Sequence, residues 1–167
     1  MSLREDTIKE LERRRQRLLD GSINTIPSPF VRFSNDFLGW EQGTYYIFTS
    51  YTKGGKSQLV SFLLFEALLY CYYNEKKTGV SMKVLYFPLE ETPQRIMTRM
   101  YSWLLMKKKQ YRISPSDLRS SNNNKPLAEE VINMLNEEEV VNIIDYFESH
   151  IIYSEESNPT GKKDLVM

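Results

Sequence analysis

The sequence predicts an α/β fold, a parallel sheet flanked by helices, and three observations point to it. Short apolar, β-prone runs recur at residues 45–49, 83–87 and 151–153. Helix-period segments fill the chain between them, so successive strands are joined by crossovers, right-handed by rule. A glycine-containing loop, residues 50–57, lies between the first run and the longest apolar helix.

From the N-terminus, residues 4–19 read as a helix with a narrow apolar stripe of Ile8, Leu11, Leu18 and Leu19, ended by Gly21. One stripe makes no core alone, so this helix must dock on its own domain or on a neighbour. Ile26-Pro27-Ser28-Pro29-Phe30 is an irregular connector, because two prolines oppose regular structure. Tyr45-Tyr46-Ile47-Phe48-Thr49 is almost wholly apolar, as expected of a strand buried on both faces. An apolar helix over 56–73 follows the loop, and a second buried strand follows at 83–87. Thr92 and Pro93 suit the N-cap and first position of a helix running to 108, and Ser114-Pro115 repeats that start signal for a short one. A helix over 127–147 has a break at Asn136 as an option, and Ile151-Ile152-Tyr153 reads as a third strand. No internal repeat is visible.

The bulk numbers exclude more than they assign. A length of 167 residues fits one domain with a real core. Lys+Arg and Asp+Glu balance at 22 each, so net charge gives no argument for a nucleic-acid partner. The runs Arg13-Arg14-Arg15-Gln16-Arg17, Lys107-Lys108-Lys109 and Glu137-Glu138-Glu139 read as solvated helix faces rather than binding patches. Cys71 is the single cysteine, which rules out an intrachain disulfide, and its apolar neighbours suggest a buried structural thiol. No apolar run reaches the roughly 18–20 residues that span a bilayer, and the N-terminus is charged where a signal peptide is apolar. A reducing, cytoplasmic setting without a membrane partner is the expectation. His150 is the sole histidine, so no multi-histidine metal site exists.

The loop carries the chemistry. A phosphate-binding loop has Gly, four residues, then Gly-Lys-Ser/Thr, between a strand and a helix. Successive N–H groups form an anion nest that glycine permits, and the following helix adds its positive end. Ser50, Tyr51, Thr52, Lys53, Gly54, Gly55, Lys56 and Ser57 occupy this frame, with Ser50 where the first glycine would stand. Lys56 would reach the β- and γ-phosphates of ATP, and the Ser57 hydroxyl would ligate Mg²⁺. Tyr51, Thr52 and Lys53 contribute backbone contacts only.

Glu90 and Glu91 follow the second strand through Pro88-Leu89. Ligand chemistry in parallel sheets collects at the carboxyl ends of strands. A carboxylate there would orient or deprotonate the attacking water. The pair could equally do no more than place negative charge at a helix N-terminus, and spacing alone does not choose.

The order Leu38-Gly39-Trp40-Glu41-Gln42-Gly43, apolar strand, phosphate loop, apolar helix, strand, Phe87-Pro88-Leu89-Glu90 resembles the RecA-like P-loop ATPase core of DnaB-type replicative helicases, phage-type ones above all. Ile96-Met97-Thr98-Arg99 and Ile113-Ser114-Pro115-Ser116-Asp117-Leu118-Arg119 are similar to further segments of that family. The resemblance implies an ATP-hydrolysing motor acting on single-stranded DNA as a homo-oligomer, a hexamer, with ATP and Mg²⁺ as cofactors. It also implies that Glu90 is the catalytic glutamate and that Arg99 supports the site. Glu90-Glu91-Thr92-Pro93-Gln94 is also similar to the paired-glutamate segment of KaiC-type ATPases, which again places the base at Glu90. On the DnaB likeness, residues 1–22 are a linker helix, 23–44 a connector and 45–167 the N-terminal portion of the ATPase domain. No Walker B aspartate follows Glu90 convincingly, since Ile143-Ile144-Asp145 lies in a helical pattern. The expectation is therefore a motor domain truncated before its Walker B strand, DNA-binding loops and arginine finger, and inactive alone. Two rivals stay open: a KaiC- or recombinase-like ATPase that is not a helicase, and a nucleotide-binding fragment without turnover. Trp40, Tyr45, Tyr46, Tyr51 and Trp103 would suit base stacking, but their apolar surroundings favour core positions.

Overall fold

The computed structural model describes residues 2–33, 36–87 and 92–153. The chain divides into two compact units, Met1–Met82 and Lys83–Met167.

The first unit opens with α1 (Leu3–Leu19). Its start is fixed by a capping box: the Glu5 amide donates to the Ser2 hydroxyl, and the Ser2 amide donates to the Glu5 carboxylate at 3.0 Å. No residue of α1 is buried. Its arginine side holds it to the rest of the unit. Arg14 pairs with Glu41 at 2.5 Å, Arg17 donates to the Ile23 carbonyl, and the Asn24 amide group donates to the Arg14 carbonyl. The stretch expected to be irregular contains β1 (Thr25–Pro27), which pairs antiparallel with β2 (Gly39–Glu41) in the register Ile26↔Trp40 and Pro27↔Gly39. Pro27 is tolerated because a two-stranded ribbon consists of edges, where a missing N–H can face away from the ladder. A 3₁₀ turn, Val31–Phe33, lies between the strands.

The strand expected at 45–49 does not form; among the described residues, 45–49 pair with no strand. Side chains hold the segment instead. The Tyr46 hydroxyl donates to the Gly39 carbonyl at 2.8 Å and accepts from the Glu41 amide at 3.1 Å. Tyr46 and Phe48 pack edge-on against Phe37 and Trp40, so alternate residues face β2 while Tyr45 and Ile47 stay exposed. The expected burial on both faces is thus replaced by one-sided aromatic packing.

α2 (Lys56–Thr78) outruns its expected end by about one turn. It buries Leu63, Phe65, Ala67, Leu68, Leu69 and Cys71, the apolar middle of its sequence. Phe62 meets Phe30 with ring centroids 5.5 Å apart, and the Ser22 hydroxyl donates to the Thr78 carbonyl near the other end. The Gly79 amide closes α2 onto the Glu75 carbonyl.

The second unit holds the parallel pair the sequence predicts. β3 (Val84–Tyr86) lies beside β4 (Ile151–Tyr153) in the register Val84↔Ile151, Leu85↔Ile152 and Tyr86↔Tyr153. The crossover between them consists of α3 (Pro93–Lys109), α4 (Pro115–Leu118), α5 (Glu129–Leu135) and α6 (Glu138–His150). The break offered at Asn136 is real and separates α5 from α6. Ser114 caps α4 by accepting from the Asp117 amide at 3.0 Å, whereas Thr92 stands at the N-cap of α3 without a side-chain bond. Ile151 is buried on one face of the pair and the Tyr153 hydroxyl reaches Met97, while Leu85 and Ile152 remain exposed on the other. These strands are therefore covered on one side only.

Ile96, Met100, Leu104, Leu105, Val140, Ile143 and Phe147 are buried at helical spacing, and Trp103 stacks on Phe147. A subsidiary cluster of Leu105, Leu118 and Val131 ties α4 and α5 to α3. Lys108 and Lys109 pair with Glu139 and Glu137, so the two opposite charge runs read from the sequence neutralise each other. Asp145 lies within α6, in agreement with its helical pattern.

Candidate phosphate-binding loop

The loop before α2 is a closed turn. The Gly54 amide donates to the Tyr51 carbonyl at 2.9 Å, and the Ser50 hydroxyl donates to the same oxygen at 3.1 Å. A Cβ on Gly54 would stand 2.9 Å from that carbonyl oxygen and 3.1 Å from the Ser50 side chain, so the turn excludes any larger residue. Gly55 is the N-cap of α2 with φ 81°, a left-handed conformation that costs a residue with Cβ about 1 kcal/mol or more. Lys53 holds a left-handed φ of 63° without being glycine.

The helix end beyond it is bare. The first bond inside α2 runs from the Leu59 amide to the Gly55 carbonyl at 2.9 Å. The amides of Lys56, Ser57 and Gln58 thus precede the helical ladder and have no acceptor within it. Gly55 has no side chain to cap them, and the first turn carries no acidic residue. α1 shows the contrast, with its Ser2 cap and with Glu5 and Asp6 in its first turn. At α2 the charge complement is present only at the far end, where Lys76 and Lys77 face the negative pole. The near end combines the positive pole with Lys53 and Lys56.

Of the residues expected at a nucleotide site, Ser50, Tyr51, Thr52, Lys53, Gly54, Gly55, Lys56 and Ser57 form one continuous loop and helix start, and all but the half-buried Gly55 are exposed. Tyr51 is 95% exposed and Tyr45 86%, so neither takes the core position expected of it. Trp40, Tyr46 and Trp103 are half-buried among other rings, in keeping with that expectation. Glu90 and Glu91 lie outside the described residues. Arg99 is half-buried on α3 in the second unit, so the loop geometry rests on the first unit alone. Sequence reasoning overlooked the role of Phe37 and Phe48, which hold the segment entering the loop. An aromatic every second residue in 46–48 was the available signal.

Two further side chains lie outside the loop. Cys71 is fully buried, and burial pushes its thiol up to about 11, so it is an inert core group rather than a nucleophile. His150 stacks on Tyr146, and its Nδ1 lies 2.7 Å from the Tyr146 carbonyl. Among the described residues, no helix is long and apolar enough to cross a membrane. Compared with known proteins, the chain matches no family model, no curated protein and no solved structure.

Proposed function

We propose that residues 50–57 bind the phosphates of ATP with Mg²⁺, and that this binding serves a motor domain of the DnaB-like replicative helicase type. The observation that carries the nucleotide reading is the uncapped N-terminus of α2, entered through a glycine turn and flanked by Lys53 and Lys56 with no carboxylate in its first turn. Such an end offers three amides, a helix pole and a cation to one anion. The Gly54-Gly55-Lys56-Ser57 order adds the hydroxyl that ligates Mg²⁺ in phosphate loops.

The helicase part rests on the resemblance of the segments around residues 38–43, 87–90, 96–99 and 113–119. It brings with it Glu90 as the base, Arg99 as a supporting residue, single-stranded DNA as the track, a hexameric homo-oligomer and a cytoplasmic setting. Nucleotide binding without turnover is the second reading. It draws support from the missing strand at 45–49, since a phosphate loop that works on a γ-phosphate is normally held on a paired strand.

Thermal unfolding with and without ATP and Mg²⁺ tests the first step. At about 100 times its dissociation constant the nucleotide adds about 2.7 kcal/mol to the wild-type chain, and little to Lys56→Ala. Equal stabilisation of both proteins removes the assignment. Release of phosphate by a version that carries the complete motor domain separates the motor from the binding fragment.

A further inference from the structure

We draw no further inference here: the strongest candidate, the exposed apolar face of α1 formed by Ile8, Leu11, Leu18 and Leu19, belongs to the oligomeric reading already proposed, and nothing in the structure shows what covers it.

Discussion

The Gly54 amide and the Tyr51 carbonyl meet at 2.9 Å, and that bond closes the turn leading into α2. The space inside it is too small for a methyl group, because a Cβ at position 54 would press on the Tyr51 carbonyl oxygen at 2.9 Å as well as on the Ser50 side chain. Gly54→Ala therefore opens the turn and redirects the amides that follow. The loop is exposed, so the fold loses little: thermal unfolding without ligand moves by no more than about 1 kcal/mol. Affinity for ATP falls at least about tenfold, which equals about 1.4 kcal/mol. Titration calorimetry of both proteins decides this. Unchanged affinity would mean that the turn takes no part in binding.

A buried thiol and a half-buried phenol set an alkaline limit on the fold. Burial raises Cys71 from 9.0 to about 11, and burial with the nearby Glu148 raises Tyr153 from 10.0 to about 12. A raised pKa means that the folded state favours the protonated form. The stability this contributes is complete below pH 9 and is lost as pH rises through 9–11 for the thiol and 10–12 for the phenol. Unfolding temperature accordingly declines above pH 9, and Cys71→Ala removes the early part of the decline. At pH 8 the native thiol holds far less thiolate than an unfolded one and is fully buried, so disulfide reagents label it more slowly than the unfolded chain. Fast labelling of the native chain would contradict the burial.

Helices were legible in the sequence because their signals are local. The stripe of Ile8 and Leu11 on α1 and the start signals Thr92-Pro93 and Ser114-Pro115 depend on neighbours within about two turns. Strands depend on partners elsewhere. Residues 45–49 have the letters of a buried strand, yet the first unit supplies β2 with a tyrosine hydroxyl and two rings instead of a ladder. Pro27 spoke against a strand and yet sits in one, because its neighbour is a short edge. The glycine turn before α2 was legible for a different reason: Gly54 answers to the Tyr51 carbonyl and Gly55 to its own left-handed φ, both local demands. The carboxylates proposed to serve it, Glu90 and Glu91, belong to a distant part of the chain, and spacing alone could not place them.

Glu90 and Glu91 differ sharply in the role assigned to them. If Glu90 positions or deprotonates the attacking water, Glu90→Gln keeps the side chain's shape and removes the needed charge. In a version of the protein that carries the complete motor domain, ATP then still stabilises the variant as it does the wild type, while phosphate release falls by about 100-fold or more. Glu91→Gln costs less than about fivefold, since charge near a helix N-terminus contributes about 1 kcal/mol at most at the surface. Parallel measurement of thermal shift and phosphate release distinguishes the two. A larger loss of turnover in Glu91→Gln would shift the catalytic register by one residue.

α1 is held to the first unit by arginines and presents leucines to solvent. Leu11, Leu18 and Leu19 are each about 60% exposed, and Ile8 is 43% exposed. The Arg14–Glu41 pair is partly exposed and contributes no more than about 1 kcal/mol, so the tether is weak beside the apolar area left open. Burying one leucine side chain yields about 1.5–3 kcal/mol, and an amphipathic helix gains this by laying its stripe in a groove. In the oligomeric reading the groove belongs to a second copy. A ring built that way matters for catalysis, because a neighbour can supply the arginine that stabilises charge in phosphoryl transfer. The double substitution Leu11→Glu with Leu18→Glu leaves α1 helical, for glutamate is a good helix former and both positions are solvent-exposed. In a version that carries the complete motor domain, self-association in ATP and Mg²⁺, measured as molecular mass in solution, is then lost while nucleotide-dependent thermal stabilisation is retained. A wild-type chain that is monomeric under these conditions, or a variant that assembles equally well, sinks the role given to α1.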